Sequence, residues 1–143
     1  MKVYAESSAV LSWLFNEARS DAVSDVLESA TLVFASALTA IECARGVHRA
    51  AALGRITARQ ADGLLEEYRM LEAGWDRIEI AERVVRHASA PFPVEPIRAL
   101  DAIHVASASA ARERFADVAM LSFDDRVRAN AAALGLTVLP NIA

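Results

Sequence analysis

The chain has 143 residues, of which 55% are hydrophobic and 24% charged, and its net charge is −4. This length predicts one domain over residues 1–143, and the apolar fraction excludes a disordered chain. No run of ~18 apolar residues occurs, and no apolar run with a cleavage site follows Lys2, so we expect neither a membrane span nor a signal peptide. The single cysteine, Cys43, excludes an internal disulfide and favours the cytoplasm.

The predicted elements alternate between strands and helices along the whole chain. Two predicted helices begin after the N-caps Ser36 and Thr57, and two end at Gly54 and Gly135. In chain order, the sequence predicts a strand at 1–5, helices at 9–15 and 20–29, a strand at 31–34, helices at 36–53 and 57–73, a strand at 75–80, helices at 81–88 and 98–114, a strand at 118–121, a helix from 124 to about 134 and a strand at 136–139. Prolines between 91 and 96 predict an extended loop.

This order of elements predicts the fold class. Repeated strand–helix units predict an α/β fold with a five-stranded, mostly parallel sheet and helices on both faces. In such sheets, ligands bind at the carboxyl ends of the strands. The polar residues that follow the predicted strands are therefore the candidates for a ligand site.

Four carboxylates fall where that edge is expected. Glu6 follows the first strand, Asp124 follows the fourth by three residues, Glu42 lies two turns into a helix, and Asp101 lies in the first turn of another. Mg²⁺ requires oxygen ligands, and a cluster of carboxylates repels itself unless a divalent ion neutralises it. Together the four predict a Mg²⁺ site, with Mn²⁺ as the alternative ion.

Each acid alone has a structural interpretation as well. Asp101 suits a helix dipole or a pair with Arg98, and Asp124 suits an N-cap. Glu42 suits a solvated helix position, paired with Arg45 or His48 one turn on.

Other chemistries have no support in the sequence. A phosphorelay receiver needs a lysine late in the chain, and Lys2 is the only lysine. The phosphate-binding Gly-x-x-x-x-Gly-Lys run and the dinucleotide Gly-x-Gly turn are both missing. The three histidines lack zinc-like spacing, so His104 and Cys43 are interpreted as packed core residues.

Four segments resemble the PIN-domain family, and within it the VapC toxins of prokaryotic toxin–antitoxin pairs. They are Val-Tyr-Ala-Glu-Ser-Ser-Ala-Val at 3–10, the segment 36–45 with Thr39 and Glu42, Leu-Asp-Ala-Ile-His-Val-Ala at 100–106, and Ser-Phe-Asp-Asp-Arg at 122–126 with Gly135. The third segment is the most specific. The resemblance extends from Val3 to Val138.

The resemblance implies a five-stranded parallel sheet, Mg²⁺ or Mn²⁺ and endonucleolytic cleavage of RNA. It also implies inhibition by a cognate VapB-type antitoxin and a homodimer. Glu42, Asp101 and Asp124 match the family's acidic positions, and Ser8 and Ser122 match hydroxyl residues near its site. From the residues themselves, we add Arg98, Arg126 and Arg128 as candidate phosphate contacts. The helical hairpin 36–73 is a candidate antitoxin or dimer surface.

One position departs from the family, which normally has aspartate where this chain has Glu6. The extra methylene moves the carboxylate by roughly an ångström, more than the ~0.5 Å that a catalytic site tolerates. On this ground, Glu6→Asp is predicted to raise cleavage by ~10-fold or more, unless the backbone has adapted to glutamate. The alternative function is a catalytically weakened PIN fold that binds RNA or a protein.

Overall fold

The computed structural model describes residues 1–142. Its elements are β1 (Lys2–Ala5), α1 (Ser7–Leu14), α2 (Ser20–Ser29), β2 (Leu32–Ala35), α3 (Ala37–Ala52), α4 (Ala58–Glu72), β3 (Asp76–Arg77), α5 (Glu82–Ser89), α6 (Ala99–Arg114), β4 (Val118–Leu121), α7 (Asp125–Ala133) and β5 (Thr137–Leu139). The predicted order of strands and helices is confirmed. Within residues 1–142, no helix is long and apolar enough to cross a membrane.

The five strands form one sheet in the order β3-β2-β1-β4-β5, and all four pairings are parallel. The sheet was predicted as mostly parallel, and among the described residues it is entirely so. The central strand β1 is buried on both sides, with Val3, Tyr4 and Ala5 all at 0% exposure. Hydrophobic residues on both faces of a strand are typical of a parallel sheet covered by helices.

Alternate residues of β1 point to opposite layers of helices. Tyr4 packs in a core cluster with residues of α5, α6 and α7. Val3 and Ala5 pack in clusters with residues of α1, α2, α3 and α4. The prediction of helices on both faces is therefore confirmed, and the period of two along β1 assigns each layer.

The third strand is shorter than predicted. The sequence predicts a strand at 75–80, but only Asp76 and Arg77 pair with β2, at Phe34 and Ala35. The backbone of Ile78 still donates to the Ala35 carbonyl at 2.9 Å. As an edge strand, β3 has one neighbour only, so nothing holds residues 79–80 in the ladder after β2 ends.

The proline-rich loop before α6 is held by one buried side chain, Asn130 of α7. Its Oδ1 accepts from the Val94 backbone at 2.9 Å, and its Nδ2 donates to the carbonyls of Val94 and Arg126 at 3.0 and 3.1 Å. The two bonds to Val94 fix the chain that leads into α6, the helix that carries Asp101.

We expect Asn130→Ala to lower the free energy of unfolding by about 2 kcal/mol, because buried polar groups lose their partners and a small cavity forms. Urea denaturation measures this change. Asn141→Ala, at an exposed position, is the control. Equal stability of the two variants would contradict an anchoring role for Asn130.

Candidate metal and nuclease site

Three of the four predicted carboxylates follow central strands in the chain, and the fourth, Asp101, lies at the start of α6, which follows α5. Glu6 directly follows β1 and is the N-cap of α1, and Asp124 follows β4 and is the N-cap of α7. Glu42 lies in α3, the helix after β2, and Asp101 lies in the first turn of α6. Since β1, β2 and β4 are parallel neighbours, their carboxyl ends form one edge of the sheet.

Glu6 is buried, with 3% exposure, and its carboxylate accepts several hydrogen bonds. Oε1 accepts from the Ser7 hydroxyl at 2.8 Å and from the Ser8 backbone at 3.0 Å. Oε2 accepts from the Ser122 hydroxyl at 2.7 Å and from the Ser8 hydroxyl. Ser122 follows β4, so Glu6 links the ends of two adjacent strands.

These contacts bear on the extra methylene of Glu6. A shorter aspartate at this position would retreat by roughly an ångström, and it could not keep the contact with Ser122 and both contacts with Ser8 without a backbone shift. The surroundings therefore fit glutamate, which is the exception allowed for in the sequence-based expectation.

On this structure, we expect Glu6→Asp to lower RNA cleavage by roughly 3- to 10-fold, which corresponds to about 1 kcal/mol in the barrier. Parallel assays of the parent and the variant in Mg²⁺ and Mn²⁺ measure the effect. A rise in cleavage in either ion would instead support the interpretation from sequence that aspartate restores the better site.

Glu42 points back towards β1 and α6 rather than along its own helix. Its Oε1 lies 3.0 Å from the Ser7 hydroxyl oxygen and within hydrogen-bond distance of His104 Nε2. Burial alone would raise the pKa of Glu42. The hydrogen bond and the charge of His104, together with the Ser7 hydroxyl, outweigh burial, so the pKa of Glu42 is lowered. The pairing with Arg45 or His48 considered from sequence is replaced by these contacts.

Glu6, Glu42 and His104 form a tight group. Each offers one ligand atom, and these atoms all lie within 4.8 Å of one another. Ser7 connects the two carboxylates because its hydroxyl lies within hydrogen-bond distance of both. Within residues 1–142, this is the group with the spacing of a metal site, and two of the four predicted acids belong to it.

Asp101 and Asp124 form a second pair, which shares the guanidinium of Arg98. Arg98 Nε lies 3.3 Å from Asp101 Oδ2, and Nη2 lies 4.0 Å from Asp124 Oδ2. Burial raises the pKa of Asp101, the negative charges of Asp124 and Glu6 add to the rise, and Arg98 offsets part of it. A negative charge on Asp101 is thus disfavoured by burial and by its acidic neighbours, and a bound cation would stabilise it.

The predicted hydroxyl and arginine contacts have protein partners in this structure. Ser8 and Ser122 both bond to Glu6, and the Ser122 oxygen also accepts from the Asp124 backbone at 3.0 Å. Arg126 donates to the Pro96 carbonyl. Arg128 donates to the carbonyls of Ser122, Leu139 and Pro140, which ties α7 to the ends of β4 and β5. A role of these side chains in binding phosphate stays a prediction.

Sequence reasoning missed the contact of His104 with Glu42. The residue is fully buried, as interpreted, yet both ring nitrogens have polar partners. The available signal was its spacing: His104 follows Asp101 by three residues, which places both on one side of α6. Sequence also gave no indication of Ser7 as the link between Glu6 and Glu42.

Comparison with protein families and curated relatives agrees with this geometry. Residues 3–133 match the family model described as PIN domain. Ribonuclease VapC35 of Mycobacterium tuberculosis is 34% identical over 139 residues, which cover 96% of this chain and 95% of that protein. The matched region includes all four acids.

Solved structures share the fold at low sequence identity. The M. tuberculosis toxin VapC20, described as cleaving the sarcin–ricin loop, aligns with a TM-score of 0.66 and 14% identity over 94% of this chain and 96% of its own. The structure of FitAB bound to a DNA fragment aligns with a TM-score of 0.66 and 19% identity, over 96% of this chain and 93% of its own. The structure of VapBC2 of Rickettsia felis, bound to a DNA fragment from its promoter, aligns with a TM-score of 0.66 and 9% identity, over 97% of this chain and 98% of its own.

Proposed function

Because this chain belongs to the PIN-domain family, we propose that it is a metal-dependent endoribonuclease, the toxin of a VapBC-type toxin–antitoxin pair. In this proposal, residues 1–143 are one PIN domain that hydrolyses RNA phosphodiesters. The observation that carries it is the pair of acidic groups at the carboxyl edge of the sheet, Glu6 with Glu42 and Asp101 with Asp124. A relative named as a ribonuclease over nearly the full length supports the same activity.

The donor set fits a hard divalent cation. Carboxylate oxygens are the ligands that Mg²⁺ and Mn²⁺ take in proteins. Burial raises the pKa of Asp101 and the charge of Asp124 adds to the rise, so a cation bound there would stabilise the ionised carboxylate. We assign the ion to Glu6, Glu42, Asp101 and Asp124, with Mg²⁺ as the working ion and Mn²⁺ as the alternative. Such an ion supplies a water of lowered pKa and neutralises charge on the phosphate.

The chain's own residues have distinct parts in this reaction. Glu6 is held rigidly by the hydroxyls of Ser8 and Ser122, so its charge stays at the end of β1. Glu42, half-buried and ionised, is placed to orient the attacking water or to accept its proton. Arg98 and Arg126 at the rim are the proposed phosphate contacts, since guanidinium groups bind phosphate oxygens bidentately. When RNA binds, Arg98 exchanges its aspartate partners for phosphate.

The proposed partners are RNA, a VapB-type antitoxin and a second copy of the chain. The hairpin of α3 and α4 exposes large apolar side chains, including Leu53 at 54% and Met70 at 72%. An open groove beside it is lined by Leu14, Phe15, Ile56 and Leu64 among others. Exposed apolar surface of this kind marks an interface, and we assign it to the antitoxin or the dimer. The free, buried thiol of Cys43 is compatible with the reducing cytoplasm.

The competing function is a PIN fold that binds RNA or protein without efficient cleavage, because Glu6 replaces aspartate. The two functions differ in one measurable property, since a binding module retains RNA without hydrolysing it. Both require the fold, so a loss of folding cannot be used to choose between them.

Asp124→Asn tests the proposal without disturbing the fold. Asp124 Oδ1 caps α7 through the Val127 backbone at 2.9 Å. Asparagine caps as well as aspartate but lacks the charge. We expect cleavage of a labelled RNA to fall by roughly 100-fold while the melting temperature is kept. The adjacent, exposed Asp125→Asn is the matched control and should cleave like the parent.

Two results would contradict the nuclease proposal. The first is equal cleavage by Asp124→Asn and Asp125→Asn. The second is a parent protein that binds RNA but leaves it intact in saturating Mg²⁺ and in Mn²⁺, which would favour the binding module.

A further inference from the structure

His104 has polar partners on both ring nitrogens although its side chain is completely buried. Nδ1 lies 2.9 Å from the Tyr4 hydroxyl, and Nε2 lies within hydrogen-bond distance of Glu42 Oε1. The Tyr4 hydroxyl in turn lies 3.0 Å from the Ser36 hydroxyl. A continuous chain of hydrogen bonds therefore runs from Ser36 through Tyr4 and His104 to Glu42.

The position of one proton in this chain follows from the chemistry of its acceptor. The Glu42 carboxylate only accepts, so Nε2 must carry the proton between them. Nδ1 lies within hydrogen-bond distance of the Tyr4 hydroxyl, which holds the ring from its other side. The Ser36 oxygen accepts from the Tyr4 hydroxyl at 3.0 Å and from the Leu38 backbone at 3.2 Å. Burial raises the pKa of Tyr4 to about 12, so the hydroxyl stays protonated at neutral pH.

The chain ties together elements that are distant in sequence. Tyr4 lies in β1, Ser36 is the N-cap of α3, Glu42 lies in α3 and His104 lies in α6. Asp101 lies one turn before His104, so α6 carries a proposed ligand and a donor to another proposed ligand. Glu42 is only half-buried, and without a fixed donor its flexible side chain could turn towards solvent.

We propose that His104 is a positioning residue that holds the Glu42 carboxylate in the metal site through Nε2–H, with its ring fixed by the Tyr4 hydroxyl. The proposal rests on the function proposed above, in which Glu42 serves the metal and the attacking water. Outer-shell hydrogen bonds of this type orient metal ligands, and their loss costs ~10–100-fold in metal affinity or activity.

Two amide substitutions separate positioning from packing. Glutamine at 104 places its amide nitrogen near the position of Nε2 and can donate to Glu42, whereas asparagine places it near Nδ1 and cannot reach Glu42. We expect His104→Asn to weaken Mn²⁺ binding in calorimetry and to lower kcat by ~10–100-fold, and His104→Gln to lose several-fold less. KM for RNA should change little in both. Equal losses in the two variants at matched melting temperatures would overturn the proposal.

Tyr4→Phe provides a test that keeps the imidazole. Removing this hydroxyl frees the ring, and we expect a smaller loss of Mn²⁺ affinity in the same direction. Tyr68→Phe, at another buried tyrosine whose hydroxyl takes no part in the chain, is the control. Equal Mn²⁺ affinities in the two variants would contradict the role of Tyr4 in fixing the ring.

Two further measurements keep the inference separate from the proposed function. In the metal-free protein, ¹⁵N NMR of the imidazole should show a proton on Nε2, and a ring without one would overturn the inference whatever the His104 variants do.

Glu42→Gln should itself lose Mn²⁺ affinity and cleavage. If Glu42→Gln retained Mn²⁺ affinity and cleavage, the role of Glu42 in the proposed function would be contradicted. If Glu42→Gln were inactive but His104→Asn and His104→Gln lost equal Mn²⁺ affinity and kcat, only the positioning role of His104 would be contradicted.

Discussion

Replacing Asp101 with asparagine is expected to remove most divalent-ion binding and to lower RNA cleavage by roughly 100-fold or more, about 2.7 kcal/mol in the barrier. Asp101 is buried at 8% exposure in the first turn of α6, beside the charges of Asp124 and Glu6. Asparagine keeps the shape but removes the charge that a cation needs. Isothermal calorimetry with Mg²⁺ and Mn²⁺, followed by a cleavage assay, measures both effects.

The same substitution should stabilise the metal-free protein at neutral pH. The pKa of Asp101 is raised in the folded state, so the folded protein binds a proton more tightly there than the unfolded chain does. Its ionised form therefore costs stability, and this cost grows as the pH rises from the ordinary value of 3.8 through the raised pKa. Below that window the parent and Asp101→Asn should differ little, and above it the variant should be the more stable.

Asp25→Asn, on the exposed face of α2, is the control for both experiments and should behave like the parent. Denaturation curves in EDTA at acidic and neutral pH give the stability difference. Retained Mg²⁺ affinity in Asp101→Asn would contradict the proposed site. A variant less stable than the parent at neutral pH would contradict the cost of ionising Asp101 that follows from its burial and its acidic neighbours.

The second large effect is expected at Glu6. Its hydrogen bonds contribute to stability and its charge to cleavage, and two substitutions separate these contributions. Glu6→Ala removes the cap of α1 and leaves the hydroxyls of Ser8 and Ser122 without their acceptor. We expect a loss of about 2–4 kcal/mol in the free energy of unfolding, together with loss of cleavage.

Glu6→Gln should retain much of that stability, because the amide oxygen still accepts, yet it should lose cleavage by roughly 100-fold. Glu17→Gln, at an exposed position, controls for the change of charge. Urea denaturation and the RNA assay on the same preparations give the two quantities. Full cleavage by Glu6→Gln would show that its charge is not needed and that the residue is purely structural.

The sequence predicted the fold well because its signals are local or periodic. Caps at Ser36 and Thr57, together with the apolar strands, delimit most elements, and alternating strands and helices leave few arrangements besides a parallel sheet. The length of β3 could not be predicted from its residues, because it depends on where its partner β2 ends. Pairing across a sheet edge is a tertiary property.

For the candidate site, sequence reasoning predicted which acids lie near one edge of the sheet but not which residues contact them. The positions after β1 and β4 follow from the rule that ligands bind at the carboxyl ends of strands. The contacts of Glu42 with Ser7 and His104 could not be read in the same way, because they join residues 35 and 62 positions apart. Likewise, the contact of Glu6 with Ser122, which bears on the effect of the extra methylene, joins residues 116 positions apart.

The central claim is that these four carboxylates hold one divalent ion, and anomalous diffraction from crystals soaked in Mn²⁺ tests it most directly. We expect a single strong peak between the two acidic pairs, with oxygens of Glu6, Asp101 and Asp124 at about 2.0–2.3 Å or joined to the ion through its waters. Glu42 should lie beside that ion, still in contact with His104. A site that stays empty at Mn²⁺ concentrations supporting cleavage, or an ion bound only elsewhere, would contradict this account.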